Sequence, residues 1–322
     1  MIRSLLVLAL GVLIAGPSVQ AQPWPQKPVR VIVPFAPGGA SDLMPRVVGE
    51  KLSPMWGQPV VIENRPGAAG NIGMEAGAKS PPDGYTLLAA PNGNLVVNPP
   101  MYSKLAYDVF KDLAPVTRIA AVQNVLVVNP EVPANTFKEL VSLARAKPGT
   151  LNFSSPGNGS QAHVGVELLK MQLGLDLVHF PYQGVGPAMK DLLGGRIHLM
   201  LAQVPSALPH IKSGKLRALG VASPTPLSTL PEVPTIAAAS GVPGYEAVSW
   251  YALMAPAGTP REVIEKIHSD TAKTLQLPEV RERLAGMGAE PSGESPADLA
   301  KRIKIEYDRW GEVVRKANIK AD

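Results

Sequence analysis

Val-Arg-Val-Ile-Val-Pro-Phe-Ala-Pro-Gly-Gly-Ala-Ser-Asp, residues 29–42, is the stretch whose reading decides the fold. Residues 29–33 form a β-branched run, which predicts a strand. Pro37-Gly38-Gly39 ends it with turn chemistry, because glycine enters positive φ without a Cβ clash. Ser41 or Asp42 is placed to cap a helix over residues 43–52. Strand, glycine turn and helix start bring free N–H groups and the positive end of a helix dipole to one spot, where an anion is stabilised. Taken alone, the same stretch also describes a tight βα connection with no ligand.

The pattern returns along the chain. A strand over 86–89 runs into Ala90-Pro91-Asn92-Gly93-Asn94. Another, over 151–154, runs into Ser155-Pro156-Gly157-Asn158-Gly159-Ser160. A third, over 251–255, ends in Pro256-Ala257-Gly258, with Thr259 capping the next helix. Ligands of open α/β sheets sit in the crevice at the carboxyl ends of the strands, so loops of this kind are expected to line a pocket for something anionic.

Between these points strands and helices alternate: strands over 60–63, 116–120, 125–128, 175–179, 197–201 and 216–221, helices over 72–79, 137–146, 161–171 and 187–193, and a helical turn near 207–211. The rhythm is that of βαβ units and a parallel sheet. Residues 92–112 and 224–244 carry no clear periodicity. The tail is helical, with Val263, Ile264, Ile267 and Leu275 on one face and Leu299, Ile303, Tyr307, Trp310, Val313 and Ala317 on another. Two α/β units, divided near Gln123, predict two lobes, with the tail returning to cover the first. The expected boundaries are 22–123 with 249–322 for one lobe and 124–248 for the other. Hinge strands are expected near 117–122 and 248–254.

With 322 residues, 45% of them hydrophobic, the chain is long enough for one large or two medium domains. The 30 glycines and 34 prolines follow no period and indicate many tight turns. The formal net charge is +5, but Lys27, Arg30, Arg46, Lys51 and Arg65 are scattered. No Lys/Arg run interleaved with aromatics exists, which argues against nucleic acid as a partner. Arg3 precedes an apolar run over 5–15, and Val19-Gln20-Ala21 has small residues where a signal peptidase reads. Residues 1–21 are therefore expected to be a signal peptide, cleaved after Ala21. There is no cysteine, which excludes both a lipoprotein anchor and disulfides and favours a bacterial periplasm for an exported chain of this size.

Catalytic and cofactor signatures are weak. Gly157-Asn158-Gly159-Ser160-Gln161-Ala162 fits G-x-G-x-x-A, but no acidic residue ends the next strand, so a dinucleotide is disfavoured. The five histidines lack metal-ligand spacing. Of these, His163 stands out, one turn into the helix after Ser160. No G-x-S-x-G elbow occurs. Ser154, Ser155 and Ser160 have no obvious partner base and read as hydrogen-bond donors, and Glu63-Asn64-Arg65-Pro66-Gly67 reads as a solvated loop. No cofactor and no metal are expected.

Residues 31–42 resemble the first motif of the tripartite tricarboxylate transporter receptors, the Bug family of periplasmic solute-binding proteins. The resemblance continues through Gly57-Gln58-Pro59-Val60-Val61-Ile62-Glu63-Asn64-Arg65-Pro66-Gly67, Pro82-Asp83-Gly84-Tyr85-Thr86-Leu87-Leu88, and Pro156-Gly157-Asn158-Gly159-Ser160 with His163. It extends to Pro181-Tyr182-Gln183-Gly184, residues 205–219 and Ala255-Pro256-Ala257-Gly258-Thr259-Pro260, and covers essentially the whole mature chain. It implies an α/β fold of the two-lobed, type II periplasmic-binding-protein kind, with mixed, mainly parallel sheets and a hinge of crossing strands. It implies a monomeric, non-enzymatic receptor that closes on a small carboxylate and delivers it to the membrane permease subunits of a tripartite tricarboxylate transporter. The family's ligand contacts, carried over, fall on Phe35, Gly38, Gly39, Ser41 and Asp42 in one lobe and on Ser155, Gly157, Asn158, Gly159, Ser160 and His163 in the other, with Asn92 and Tyr182 as walls. Many relatives carry an acid after the strand that here ends Leu199-Met200-Leu201-Ala202-Gln203. This chain has Ala202 there, and Gln203 is the expected substitute. The competing reading is an exported α/β hydrolase or isomerase.

Overall fold

The structure, a computed structural model, describes residues 24–182 and 184–321, so the expected signal peptide at residues 1–21, together with Gln183 and Asp322, lies outside the described residues. In chain order, β1 (Val29–Val33) leads into α1 (Ala40–Trp56). β2 (Val60–Asn64) is followed by a 3-10 turn (Ala68–Gly70) and α2 (Asn71–Ala78). β3 (Thr86–Pro91) runs into a π-helical turn (Gly93–Val97) and α3 (Asn98–Met101). Next come β4 (Leu113–Val122), β5 (Asn124–Val128), α4 (Phe137–Ala146), β6 (Asn152–Ser155), α5 (Gln161–Leu173), β7 (Val178–Pro181), α6 (Val185–Leu193), β8 (Leu199–Gln203), α7 (Val204–Lys212) and β9 (Arg217–Val221). The chain closes with α8 (Ile236–Ser240), β10 (Ser249–Pro256), α9 (Arg261–Gln276), α10 (Pro278–Gly286), β11 (Ala289–Pro291) and α11 (Pro296–Lys316).

The strands form two sheets. One has the order β11-β4-β10-β3-β1-β2 and the other β7-β6-β8-β5-β9. The chain leaves the first sheet through Gln123, the one residue between β4 and β5, and returns to it at β10. β1 pairs with β2 and β3 in parallel, as β6 does with β7 and β8. Every pairing that involves β4, β5 or β10 is antiparallel. The sheets are therefore evenly mixed, not mainly parallel. The βαβ units expose the parallel half in the sequence. The crossing strands carry the chain out and back, and that return forces opposite direction.

Helix ends follow local chemistry. Thr136, Ser160, Thr235 and Ser295 each accept a hydrogen bond from the N–H three residues on, which fixes the starts of α4, α5, α8 and α11. α1 begins earlier than residue 43 and is capped by Gly39, without a side-chain cap. Asp42 is the third residue of that helix, and its carboxylate reaches back past the cap to accept from the Gly38 N–H at 2.9 Å, which ties the turn before the cap to the first turn of the helix. Residues 92–112 are not all irregular, because Leu95, Val96 and Val97 are fully buried and pull the π-helical turn onto the core. β7 starts later than residue 175, and neither β11 nor α8 is visible in the hydrophobic pattern.

One apolar cluster runs from Ile32 and Leu88 through Trp250 and Trp310 to Phe153 and Leu201, joining both sheets. The Trp250 indole donates to both oxygens of Glu306 at 2.9 Å, which fastens α11 over β10. Burial pushes the Glu306 carboxyl above the usual range, against the pull of Trp250 and the nearby arginines.

Candidate functional site

The loop after β1 is set from inside the protein. The Asp42 carboxylate, 2% exposed, accepts from Gly38 N, from Arg46 Nε at 2.9 Å and from Asn64 Nδ2 at 2.9 Å. Burial raises its pKa, but the hydrogen bonds from Arg46, Gly38 and Asn64 outweigh that, and the carboxyl lies below its ordinary value. Asn64 also donates to Phe35 O at 2.9 Å and accepts from Arg46 at 2.8 Å. Asp42, Asn64 and Arg46 thus brace the loop from below. Asn64 belongs to the segment read as solvated, and no local signal marks it for this role. Above the brace, Gly38 has φ +96°, which suits glycine, and Gly39 has an ordinary φ of −86° with only Ser41 Oγ near a Cβ position. The N–H groups of Ala40 and Ser41, in the first turn of a 17-residue helix, have no intrahelical acceptor.

The loop after β6 is held in a different way. Ser155, fully buried, accepts from Gly157 N at 3.2 Å, donates to Gly157 O at 3.0 Å and lies 2.7 Å from His179 Nε2. Ser160 caps α5 through His163 N at 3.3 Å. Gly159 N donates to His163 Nδ1 at 3.2 Å. His163 stacks on His179 with ring centroids 3.8 Å apart, and His179 stacks on Phe153 at 4.7 Å. Burial, then His179 and Lys170, lower the His163 pKa to about 3, and burial with Lys170 lowers that of His179 to about 4. Both imidazoles are neutral at neutral pH. Here Gly157 and Asn158 are half-buried and Gly159 is buried, while Gln161 and Ala162 occupy the first turn of α5.

The 92–98 segment joins the two loops. Gly70 lies so close under the Phe35 ring and Asn94 that a Cβ there would stand 3.0 and 2.9 Å from them. Asn94 and Asn98 both donate to Ala69 O, at 2.9 and 3.4 Å, and hold Ala68 and Ala69 at φ of 47° and 51°. Gly159 faces this segment: its Cβ would meet Met101 Cε at 2.7 Å and Asn98 Oδ1 at 3.0 Å. Asn92, 3% exposed, spans the gap directly, donating to Gln161 Oε1 at 3.0 Å and to Val248 O at 3.1 Å.

Two expected residues point elsewhere. The Tyr182 hydroxyl donates to Asp191 on α6 at 2.8 Å, so its backbone, 3.5 Å from a Cβ on Gly157, is the part that meets the loop. Gln203 donates to the hydroxyl of the half-buried Tyr251 at 3.1 Å, a link from β8 to β10. A surface cavity of about 390 Å³, lined by Tyr102, Tyr107, Phe110, Asp112 and Tyr307 among others, contains none of the candidate residues.

The Ser155–His179 contact, which the sequence did not reveal, has the look of a nucleophile and its base. Ser155 is fully enclosed, though, and a base titrating near 4 takes up protons poorly at neutral pH. No described carboxylate hydrogen-bonds His179 to orient it. Among the described residues no group of His, Cys, Asp or Glu could hold a metal ion, and no helix is long and apolar enough to cross a membrane. The arrangement offers backbone and amide donors to an anion and lacks the parts of a hydrolytic centre.

The family model for tripartite tricarboxylate transporter family receptors matches residues 44–319. Protein BugT of Bordetella pertussis is 39% identical over 323 residues, covering 99% of each chain. Among solved structures, Rpa4515 of R. palustris with adipate is 37% identical with a TM-score of 0.83, covering 92% of this chain and 99% of its own. MatC of Rhodopseudomonas palustris with bound malate is 32% identical with a TM-score of 0.79, covering 90% and 100%.

Proposed function

This chain belongs to the tripartite tricarboxylate transporter receptor family, the Bug proteins among them, and is a periplasmic solute-binding receptor, not an enzyme; from that premise we propose that it binds a small organic carboxylate between two lobes and presents it to its transporter's membrane permease. The observation that carries the reading is the pair of helix starts, α1 and α5, with N–H groups that the helices themselves leave without acceptors. The ligand donors in this reading are the N–H groups of Gly39, Ala40 and Ser41 with the Ser41 hydroxyl on one side, and those of Gln161 and Ala162 on the other. Asp42, Asn64, Ser155, Ser160 and His163 hold the loops in shape. No arginine or lysine is needed, since helix dipoles supply the positive field. The adipate and malate held by the two R. palustris proteins support a dicarboxylate as the first class to try.

The lobes in this reading are residues 22–123 with 249–322, and 124–248. The receptor works as a monomer after export and cleavage behind Ala21. Titration of the purified protein with adipate, malate and citrate should raise its melting temperature without consuming the acid. At a hundredfold excess over Kd the stabilisation is about 2.7 kcal/mol, a shift of several degrees. No shift with any carboxylate in a broad panel, or turnover of one, would overturn the proposal.

A further inference from the structure

Asn92 and Gln161 fix each other's orientation, and the consequence falls on one atom. The same Asn92 nitrogen lies 3.1 Å from Val248 O and 3.0 Å from Gln161 Oε1. A backbone carbonyl only accepts, so the Asn92 group facing Val248 must be its NH2. That NH2 then requires an acceptor from Gln161, which places Oε1 toward Asn92 and turns Nε2 away. Gln161 is 5% exposed, and its Nε2 is buried with no hydrogen-bond partner among the described residues. A buried donor without an acceptor is costly, and it sits on the first residue of the 13-residue helix α5, beside N–H groups that also lack intrahelical acceptors.

We infer that the Gln161 side-chain amide donates to an oxygen of the bound carboxylate and couples that contact to closure. The coupling follows from the partners. Asn92 directly follows β3 of the first sheet, and Gln161 starts the helix after β6 of the second. The amide is oriented and shut away from water only when the two meet. A solute with an oxygen acceptor at that point relieves the unmet donor, and one without it leaves the closed form strained. Gln161 is then a specificity-determining residue in the carboxylate site proposed above, on which this inference rests.

The test compares the unaltered receptor with Gln161→Met, similar in length but without a donor, and Gln161→Glu, by calorimetric titration with adipate and malate. The better-bound acid should weaken roughly tenfold to a hundredfold in Gln161→Met. The loss in Gln161→Glu should be larger, because two carboxylates then face each other. In Gln161→Glu, 6-aminohexanoate should gain relative to adipate, an exchange that a purely structural role for Gln161 would not produce. Unchanged affinity in both variants overturns the assignment while leaving the carboxylate site standing. If the unaltered receptor binds neither acid, the dicarboxylate reading fails and the assignment falls with it. Should the variants not fold, the side-chain NH2 signals of the unaltered, 15N-glutamine-labelled receptor decide: failure of every one to shift on adding the bound acid overturns the inference.

Discussion

His163 and His179 stack at 3.8 Å within the loop after β6, and both stay neutral because burial and Lys170 oppose a second positive charge there. Their folded pKa values, about 3 and about 4, lie below the ordinary 6.5. Between pH 6.5 and 4 the unfolded chain takes up protons that the folded chain refuses. Stability is therefore fully present above about pH 6.5 and falls as the pH drops, by at most about 1.4 kcal/mol per pH unit for each histidine. Urea midpoints at pH 7 and pH 5 should show this loss, and His163→Gln should reduce it. An equal pH dependence in parent and variant would refute the account. The sequence singled out His163, and its place near the loop is where expected. Its partner is a matter of tertiary structure: His179 lies on β7, sixteen residues away, and nothing local marks the stack.

At the scale of elements, the two glycine loops differ in kind. Gly39 has ordinary backbone angles and open space where a Cβ would go, whereas Gly159 has φ +72° and is seated against Met101 and Asn98. Gly39→Val should fold with a melting temperature close to the parent's and lose carboxylate binding, because its side chain crowds the first turn of α1. Gly159→Val should lose binding for another reason: its Cβ lies within contact limits of Met101 and cannot let the β6 loop settle on the segment after β3. It should also destabilise the protein, by about 1–3 kcal/mol for strained backbone alone. Melting curves with and without adipate or malate separate the cases. A Gly39→Val receptor that binds as the parent does would remove the α1 loop from the site.

At the scale of the molecule, Asn124 ties the two crossings together. Its amide donates to Ala247 O at 2.6 Å and to Ser249 Oγ at 3.2 Å, so the outgoing chain at Gln123 and the returning chain before β10 run side by side. In the two-lobe reading these are the hinge, and Asn92–Gln161 and Gly159–Asn98 are contacts made on closing. Solution scattering should show a smaller radius of gyration with saturating ligand than without it. Identical curves would mean a pocket that stays closed throughout. Asn92→Ala removes one closing contact, and its ligand-free form should scatter as the more open particle.

Much of this was legible before any tertiary structure. β1, α4 and the start of α5 follow from β-branched runs, glycine turns and Thr or Ser caps, all of which act within a few residues. The same local chemistry is what points to an anion at the strand exits, because N–H groups at a helix start need only the helix. The tertiary structure decided which groups remain for a ligand. Asp42, Ser155 and His163 carry the right chemistry in the sequence, but Asn64, Gly157 and Gly159 engage them within the protein, and only folding brings those partners into range. It also decided strand direction. β4, β5 and β10 owe their antiparallel pairing to the path between the sheets, and hydrophobic pattern records burial and not direction. The Asn92–Gln161 pair, 69 residues apart, belongs wholly to the fold, since no local rule orients an amide by a carbonyl just ahead of a strand that returns much later.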